Sequence, residues 1–290
     1  MLRSTIRMAG DYNRGLCPEF RCVHVLLACV RGMLSPFTTW MLHPVRRSWA
    51  TPLCISILGF ALLYPLDGPL SRALRELPIK GDIRRELTAW QQYGALTSLL
   101  VVAVVIVLLD QGRWRRVLDL TAAAVLGILA CNFLKNFVGR PRPILNDPET
   151  FLWPWGEYPV PVAAGSSLQS TGQPRFVLTH AWSGPRSVGY ELWSMPSSHT
   201  AMAVVLSVFL GVMYPKLRLL VIVLAALVGI TRVITGAHWP TDVLIGATLG
   251  YTVASAAVNG HWGMRALDWV WIRCVDRDAH PSFTKRDTTL

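Results

Sequence analysis

Charged residues are scarce in this sequence. Only 16% of its 290 residues are Asp, Glu, Lys or Arg, whereas 52% are hydrophobic. The basic excess, a formal net charge of +11, forms no basic helix and no aromatic strand pattern, so no nucleic-acid partner is expected. The composition is instead that of a membrane protein, and its basic charge favours contact with anionic lipids.

Paired cysteines are also missing. The six cysteines contain no CxxC pair, which argues against a zinc-thiolate site. None lies in the three segments that the topology below places outside the membrane, so no disulfide framework is expected. They are Cys17, Cys22, Cys29, Cys54, Cys131 and Cys274.

Long uncharged apolar runs dominate the chain instead. A membrane-spanning helix needs about 20 mostly apolar residues, and six runs approach that length, at approximately residues 49–66, 93–109, 117–134, 200–214, 217–235 and 239–258. The predicted fold class is all-α: a polytopic membrane protein with one six-helix bundle over residues 49–260. A long loop, residues 144–194, separates the third helix from the fourth.

The distribution of Lys and Arg predicts the orientation. If both termini are cytoplasmic, the cytoplasmic segments hold the larger share of the 28 basic residues, as the positive-inside rule requires. Residues 144–194 then lie on the extracytoplasmic side of the cell inner membrane. Residues 261–290 form a cytoplasmic tail.

Residues 1–48 allow two interpretations. Arg31 and two prolines interrupt the apolar stretch "CVHVLLACV" before it reaches the length of a span, which favours a helix lying on the membrane surface. Alternatively, the true start is Met33 or Met41. No small-x-small cleavage pattern indicates a signal peptide.

The third run ends in "LKNFVGRPRP". Lys135 and Arg142 are seven residues apart, which is two helical turns, so their side chains can share a face. Pro141 and Pro143 end the helix just beyond. Taken alone, the pattern also fits a snorkelling Lys135, with Arg140 and Arg142 among lipid headgroups.

The fourth run begins with "PSSHT". A proline followed by Ser197 and Ser198 is typical of a helix start, where unpaired N–H groups and the positive end of the dipole favour an anion. The alternative is ordinary capping by either serine, which needs no ligand.

The fifth and sixth runs are joined by "TRVITGAHWPTD". Gly236 predicts the end of one helix and Pro240 the first turn of the next. This tight hairpin brings Arg232, His238 and Asp242 together. Asp242 follows His238 by four residues and can accept a hydrogen bond from one imidazole nitrogen. A purely structural His–Asp pair is the other interpretation.

The three helix ends share one face of the membrane. Cations and helix N–H groups bind phosphate, and the two histidines, His199 and His238, can supply a general acid and a nucleophile. The joint pattern therefore favours phosphoryl chemistry over three independent structural features.

The three segments resemble the ordered motifs KxxxxxxRP, PSGH and SRxxxxxHxxxD of the type 2 phosphatidic acid phosphatase (PAP2) family of membrane lipid phosphatases. The resemblance covers roughly residues 90–258. Ser198 stands where the family has glycine, and Thr231 stands where it has serine. The first change keeps a backbone N–H available and the second keeps a hydroxyl.

The resemblance implies a role for each matching position. His238 attacks phosphorus, Asp242 orients the His238 imidazole, and His199 protonates the leaving group. No metal or cofactor is implied, and a rival zinc site built from these three residues would leave three cations facing another cation. By the same analogy the phosphoryl oxygens are held by the N–H groups of residues 197–199 and by Lys135, Arg142, Ser197, Ser198 and Arg232.

The expected function is metal-independent hydrolysis of a lipid phosphomonoester or pyrophosphate through a phosphohistidine. Phosphatidic acid, phosphatidylglycerophosphate, undecaprenyl pyrophosphate and lipid A phosphates all fit such a site. Two alternatives stay open: a lipid phosphotransferase using the same residues, and a non-catalytic protein that binds or transports anionic lipids. The expected partners are the lipid phosphate and the surrounding membrane lipids.

Residues 144–194 form a longer segment than a connection requires. Their tryptophans suit the membrane–water interface. The segment is either a lid that selects the headgroup or a loop anchored at that interface. The tryptophans are Trp153, Trp155, Trp182 and Trp193.

Overall fold

The computed structural model describes residues 50–161, 176–183 and 188–275. The predictions for residues 1–48 and for the end of the C-terminal tail lie outside these ranges. The described chain is mostly helical. Its α-helices are α1 (Ala50–Leu63), α2 (Asp67–Arg75), α3 (Gly81–Trp90), α4 (Leu96–Leu109), α5 (Val117–Val138), α6 (Ser198–Met213), α7 (Arg218–Ile234), α8 (Pro240–Asn259) and α9 (Trp262–Cys274).

Four helical stretches of the described residues are long and apolar enough to cross a membrane: Pro52–Arg75, Trp114–Val138, Pro215–Ile234 and Pro240–Asn259. A fifth span results if the helices on either side of residue 95, bent by 61°, count as one. α6 has 16 residues and rises only about 24 Å, less than a bilayer core of about 30 Å. The structure agrees with a helical membrane fold, while the number of six spans stays a prediction.

α6 lies at the centre of the bundle, packed against α5, α7 and α8. Twelve of its 16 residues are buried, which explains why its sequence is apolar on every side. Two glycines of α8 permit the close approach, because a Cβ at Gly246 would lie 2.5 Å from the Ser197 carbonyl oxygen and one at Gly250 would lie 2.3 Å from that of Ala201. The backbone of α8 therefore fixes where α6 begins.

Residues 144–194 contain structure that the sequence did not predict. β1 (Tyr158–Pro161) pairs antiparallel with β2 (Phe176–Thr179). The hairpin and the helical turns that follow it lie at the end of α5 and share a small buried core. This core consists of Val160, Ala181 and Leu192.

The C-terminal segment begins with a helix that is fixed to the bundle. Asp119, buried near the start of α5, caps α9 because its Oδ1 accepts hydrogen bonds from the N–H groups of Gly263 at 2.9 Å and Met264 at 3.1 Å. Its Oδ2 pairs with Arg116 at 2.8 Å. α9 thus packs on α5 rather than extending freely.

Candidate active site

Lys135, in the last turn of α5, and Arg142, just beyond its end, both point into the protein. Gly139 ends the helix in the left-handed conformation, φ 59°, and its N–H donates to the Lys135 carbonyl oxygen at 3.1 Å. Lys135 Nζ donates to the Trp193 carbonyl oxygen at 3.1 Å, and Arg142 Nη1 donates to that of Ala237 at 3.3 Å. Lys135 is 6% exposed and Arg142 is 7% exposed. Arg140 is fully buried as well, so the alternative of a snorkelling Lys135 with Arg140 and Arg142 among lipid headgroups is wrong.

Arg232 lies in the last turn of α7, and its charge acts on His238 together with those of Lys135 and Arg142. Its Nη1 donates to Gln91 Oε1 at 2.8 Å, while its Nε is buried without a partner in the described residues. Within the same ranges none of the three cations forms a salt bridge with a carboxylate. Uncompensated positive charge and an unused donor create a site for an anion.

The first turn of α6 differs from its predicted role at one position. Ser197 is fully buried, its N–H donates to the Asp242 carbonyl oxygen at 3.0 Å, and its hydroxyl shares a hydrogen bond with Thr200 at 2.9 Å. These groups are committed to the protein, so Ser197 neither caps the helix with its side chain nor offers its N–H to a phosphate. The N–H groups of Ser198 and His199 lie in the first turn of the helix. No helix carbonyl lies one turn before them to accept their hydrogen bonds.

His199 is held from outside by the turn Gln91–Gly94. A Cβ at Gly94 would lie 2.1 Å from the His199 carbonyl oxygen, so only glycine lets the turn pack this closely on α6. The His199 ring makes no hydrogen bond with any residue that the structure describes, and it lies within the electrostatic reach of all three cations. Its nitrogens are available to a ligand.

His238 lies between α7 and α8 and is 1% exposed. Its Nδ1 contacts the Ser194 carbonyl oxygen at 2.5 Å. Because a carbonyl can only accept, Nδ1 carries the proton and Nε2 carries the lone pair. Burial lowers the pKa of His238 well below its usual value, and the neighbouring cations act in the same direction. In the described part of the chain the ring's hydrogen bond is the one at Nδ1, which leaves the basic Nε2 of a neutral imidazole unused.

Asp242 lies beside His238 without a direct hydrogen bond to it. The distance from Asp242 Oδ2 to His238 Nδ1 is 3.9 Å, which is too long for such a bond. Oδ2 instead accepts from the Ser194 hydroxyl at 2.5 Å and from the Trp239 N–H at 2.8 Å, because Asp242 sits in the first turn of α8 and caps it. The predicted direct contact is thus replaced by a link through Ser194, whose carbonyl orients the imidazole.

Arg140 is the site residue that the sequence interpretation missed. It is fully buried and donates to Asp242 Oδ1 at 2.8 Å, to Thr241 Oγ1 at 2.7 Å and to Asp67 Oδ2 at 2.7 Å. Asp67 lies in the first turn of α2, so Arg140 ties this outer helix to the start of α8. The only sequence signal was a second arginine ahead of the "RP" pair, and nothing local pointed to Asp67.

Metal ligands do not converge in the described residues. No group of three or more His, Cys, Asp or Glu side chains is arranged there to hold an ion. The rival zinc set of His199, His238 and Asp242 is therefore not assembled in these ranges.

Residues 116–265 of this chain match a family model described as "PAP2 superfamily". A curated relative, the lipid A 1-phosphatase of Rhizobium etli, is 32% identical in an alignment of 243 residues, and the match covers 76% of this chain and 88% of the relative. The chain belongs to the PAP2 superfamily. The resemblance seen in the three motifs is confirmed, and the protein is a PAP2-type membrane lipid phosphatase rather than a non-catalytic lipid-binding protein.

Two crystal structures are also similar to this PAP2 chain. Aquifex aeolicus LpxE is 19% identical with a TM-score of 0.46, and the match covers 67% of this chain and 94% of that one. A PAP2-type phosphatidylglycerolphosphate phosphatase from Bacillus subtilis is 22% identical with a TM-score of 0.49, covering 73% of this chain and 94% of that one.

Proposed function

We propose that this PAP2 protein hydrolyses a lipid phosphate through a phosphohistidine formed on His238. The observation that carries the proposal is that no described residue hydrogen-bonds Nε2 of His238, while three cations without carboxylate partners act electrostatically on the same ring. A nucleophilic histidine needs a neutral ring with one free nitrogen, and a phosphate needs fixed positive charge around its oxygens.

The phosphate pocket is built from three segments. Its cations are Lys135, Arg142 and Arg232. The buried Nε of Arg232 has no partner in the described residues and supplies one donor, while the N–H groups of Ser198 and His199 supply others at the positive end of α6. These groups neutralise the charge that builds on the equatorial oxygens during transfer. Ser197 supports the pocket from beneath rather than binding the phosphate.

In the first step, His238 Nε2 attacks phosphorus and the bond between phosphorus and the lipid oxygen breaks. His199 gives its proton to the departing oxygen, so the lipid leaves as a neutral alcohol, or as a phosphate if the substrate is a pyrophosphate. The Ser194 carbonyl accepts the Nδ1–H bond throughout, which stabilises the positive charge on the ring. Asp242 acts on this step by holding Ser194.

In the second step, water attacks the phosphorus of the phosphohistidine and the P–N bond breaks. His199, neutral after the first step, takes the proton from the water. Inorganic phosphate leaves, His238 regains its lone pair and His199 regains its proton. The cycle therefore needs no reactant beyond the lipid phosphate and water.

We place the site on the extracytoplasmic face of the cell inner membrane, with both termini in the cytoplasm. In this topology α6 is a sixth span although it is short. Its length need not match the bilayer, because α5, α7 and α8 surround it and keep it from lipid. The described residues of the segment 144–194 then lie on the same side of the membrane as the pocket.

The first substrate to test is a lipid A 1-phosphate, because the curated relative of Rhizobium etli is a lipid A 1-phosphatase. The other candidates share its phosphate chemistry. They are phosphatidic acid, phosphatidylglycerophosphate and undecaprenyl pyrophosphate.

Phosphate release by the purified protein in detergent, measured on each of these lipids, tests the proposal. We expect release from one or more of them, in the presence of a chelator, and inhibition by vanadate, which mimics pentacoordinate phosphorus. His238→Ala should abolish release, whereas His180→Ala, a partly exposed histidine that pairs with Glu157, should retain it. Equal release by His238→Ala and the wild type would overturn the proposal.

A further inference from the structure

The β-hairpin presents an apolar face away from its own core. Pro159 and Pro161 are the exposed residues of β1, and Phe176 and Leu178 are those of β2. In the observed register Pro159 lies opposite Leu178 and Pro161 lies opposite Phe176, so all four share one side. An antiparallel sheet that faces water usually carries polar residues on that side. This hairpin is therefore not built to face water.

Two exposed tryptophans lie in the same outer segment as the two strands. Trp155 is 82% exposed and packs edge-on against Trp182 at 5.9 Å between ring centroids. Trp182 itself is 54% exposed and follows β2 by three residues. Large apolar side chains held together at this exposure mark a surface that contacts another phase or molecule.

Trp153 connects the segment that carries Trp155 to an exposed side of α5. Trp153 is 55% exposed and packs edge-on against Phe137 at 6.0 Å, and Phe137 stacks on Phe133 at 5.8 Å. Phe133 is 66% exposed on the stretch Trp114–Val138, which is long and apolar enough to cross the membrane. The aromatic contacts thus begin on the spanning helix and continue past its end.

We propose that this aromatic surface is immersed in the leaflet that borders the active site. It is defined as Trp153, Trp155, Trp182, Phe176 and Leu178. Tryptophan is enriched where a membrane protein leaves the hydrocarbon core, and no member of the set is charged. Lipid is the occupant, rather than a protein, because Trp153 joins the set to the exposed aromatic side of a helix that is long and apolar enough to cross the membrane.

Immersion has a consequence for the pocket. Trp182 and Ala181 share one helical turn, and the Ala181 carbonyl oxygen accepts the Trp193 Nε1–H at 2.5 Å. The Trp193 carbonyl oxygen in turn holds Lys135. Lipid contact therefore fixes the segment that positions this cation. The link to Lys135 as a phosphate ligand rests on the proposed function, whereas immersion itself does not.

Site-directed spin labelling in lipid nanodiscs tests the proposal. Single cysteines are placed at Phe176 and at Leu178, in a full-length background where every native cysteine except the buried Cys131 is serine. Phe133→Cys serves as the lipid-exposed reference and Glu149→Cys as the exposed polar reference from the same outer segment. Collision with oxygen, which concentrates in lipid, is compared with collision with a polar nickel complex, which stays in water.

We expect labels at both hairpin positions to collide with oxygen and be shielded from nickel, as at Phe133. Accessibility to nickel as high as at Glu149 would overturn the proposal. Shielding from both reagents would also overturn it. If the labels then show dipolar coupling to one another, the surface contacts a second copy of the protein. If they show none, the surface is covered by another segment of the same chain. Turnover is not measured, so failure here leaves the phosphatase proposal intact, and two label sites guard against a local distortion.

Discussion

Arg140 and Asp242 form an ion pair at 2.8 Å in which neither side chain is exposed to solvent. The same guanidinium group binds the buried Asp67 at 2.7 Å. The second oxygen of Asp242 accepts the Ser194 hydroxyl, and the carbonyl of Ser194 orients His238. A charge network, rather than one His–Asp contact, therefore positions the proposed nucleophile.

Asp67→Asn tests this network. The amide keeps the shape of the side chain but removes one of the two carboxylates that balance Arg140. Removing one partner of a buried ion pair costs about 3–5 kcal/mol, so we expect a lower unfolding temperature in detergent. We also expect kcat to fall while KM stays nearly constant, because Asp67 acts on the nucleophile and not on the phosphate. Thermal unfolding and steady-state kinetics measure both effects.

Asp82→Asn is the matched control for that experiment. Asp82 pairs with Arg85 at 3.2 Å, but both side chains are more than four-fifths exposed, at 93% and 84%. Exposed pairs of this kind contribute little, so neither stability nor turnover should change. Similar losses in the two variants would contradict a specific role for the buried network.

Gln91→Glu tests the charge of Arg232. Gln91 Oε1 already accepts a hydrogen bond from Arg232, and a carboxylate there would neutralise the cation. A hydrogen bond to a charged group contributes about 1.5–3 kcal/mol, so KM should rise by about 10- to 150-fold. Gln91→Met, which leaves the cation unpaired, should affect KM less. An unchanged KM in Gln91→Glu would remove Arg232 from phosphate binding.

The neutral state of His238 makes stability depend on pH in a defined direction. Its pKa in the folded protein lies well below the usual value, whereas the unfolded chain takes up a proton at about pH 6.5. The contribution of the neutral imidazole to the free energy of unfolding is therefore fully present above about pH 6.5, and it is lost as the pH falls below that value. The wild type should lose more thermal stability than His238→Gln between about pH 7 and about pH 5. Parallel curves would show that the imidazole is not held neutral.

Cysteine labelling on intact cells tests the orientation. Glu149→Cys lies in the segment placed outside, and Gly112→Cys lies in the turn between α4 and α5, which is placed in the cytoplasm. Both positions are exposed in the structure. A membrane-impermeant thiol reagent should label only the cysteine at Glu149, in a background without other accessible cysteines. Labelling only at Gly112 would put the active site in the cytoplasm.

Local sequence signals predicted the segments of the site but not all of their contacts. The end of α5 shortly before Pro141 and the start of α8 at Pro240 follow from proline preferences, which act within a few residues. The spacing of His238 and Asp242 predicted nearness correctly. It could not show that the carboxylate would turn to the Trp239 N–H, since that choice depends on the geometry of the helix start.

Contacts distant in sequence were not predictable from one chain. Asp67 and Arg140 are 73 residues apart, and the burial of Ser197 depends on a close approach of α8 at Gly246. β1 was not predicted for a different reason. Two of its four residues are prolines, Pro159 and Pro161, which normally argue against a strand.

Trapping the covalent intermediate tests the central proposal most directly. Purified protein is mixed briefly with a lipid substrate carrying a radiolabelled phosphate, quenched in base and digested, and the labelled peptide is sequenced. We expect an acid-labile label on His238, none in His238→Ala, and slower labelling in His199→Ala when the leaving group is poor. Label that persists in His238→Ala, or that maps to another residue, would contradict His238 as the nucleophile.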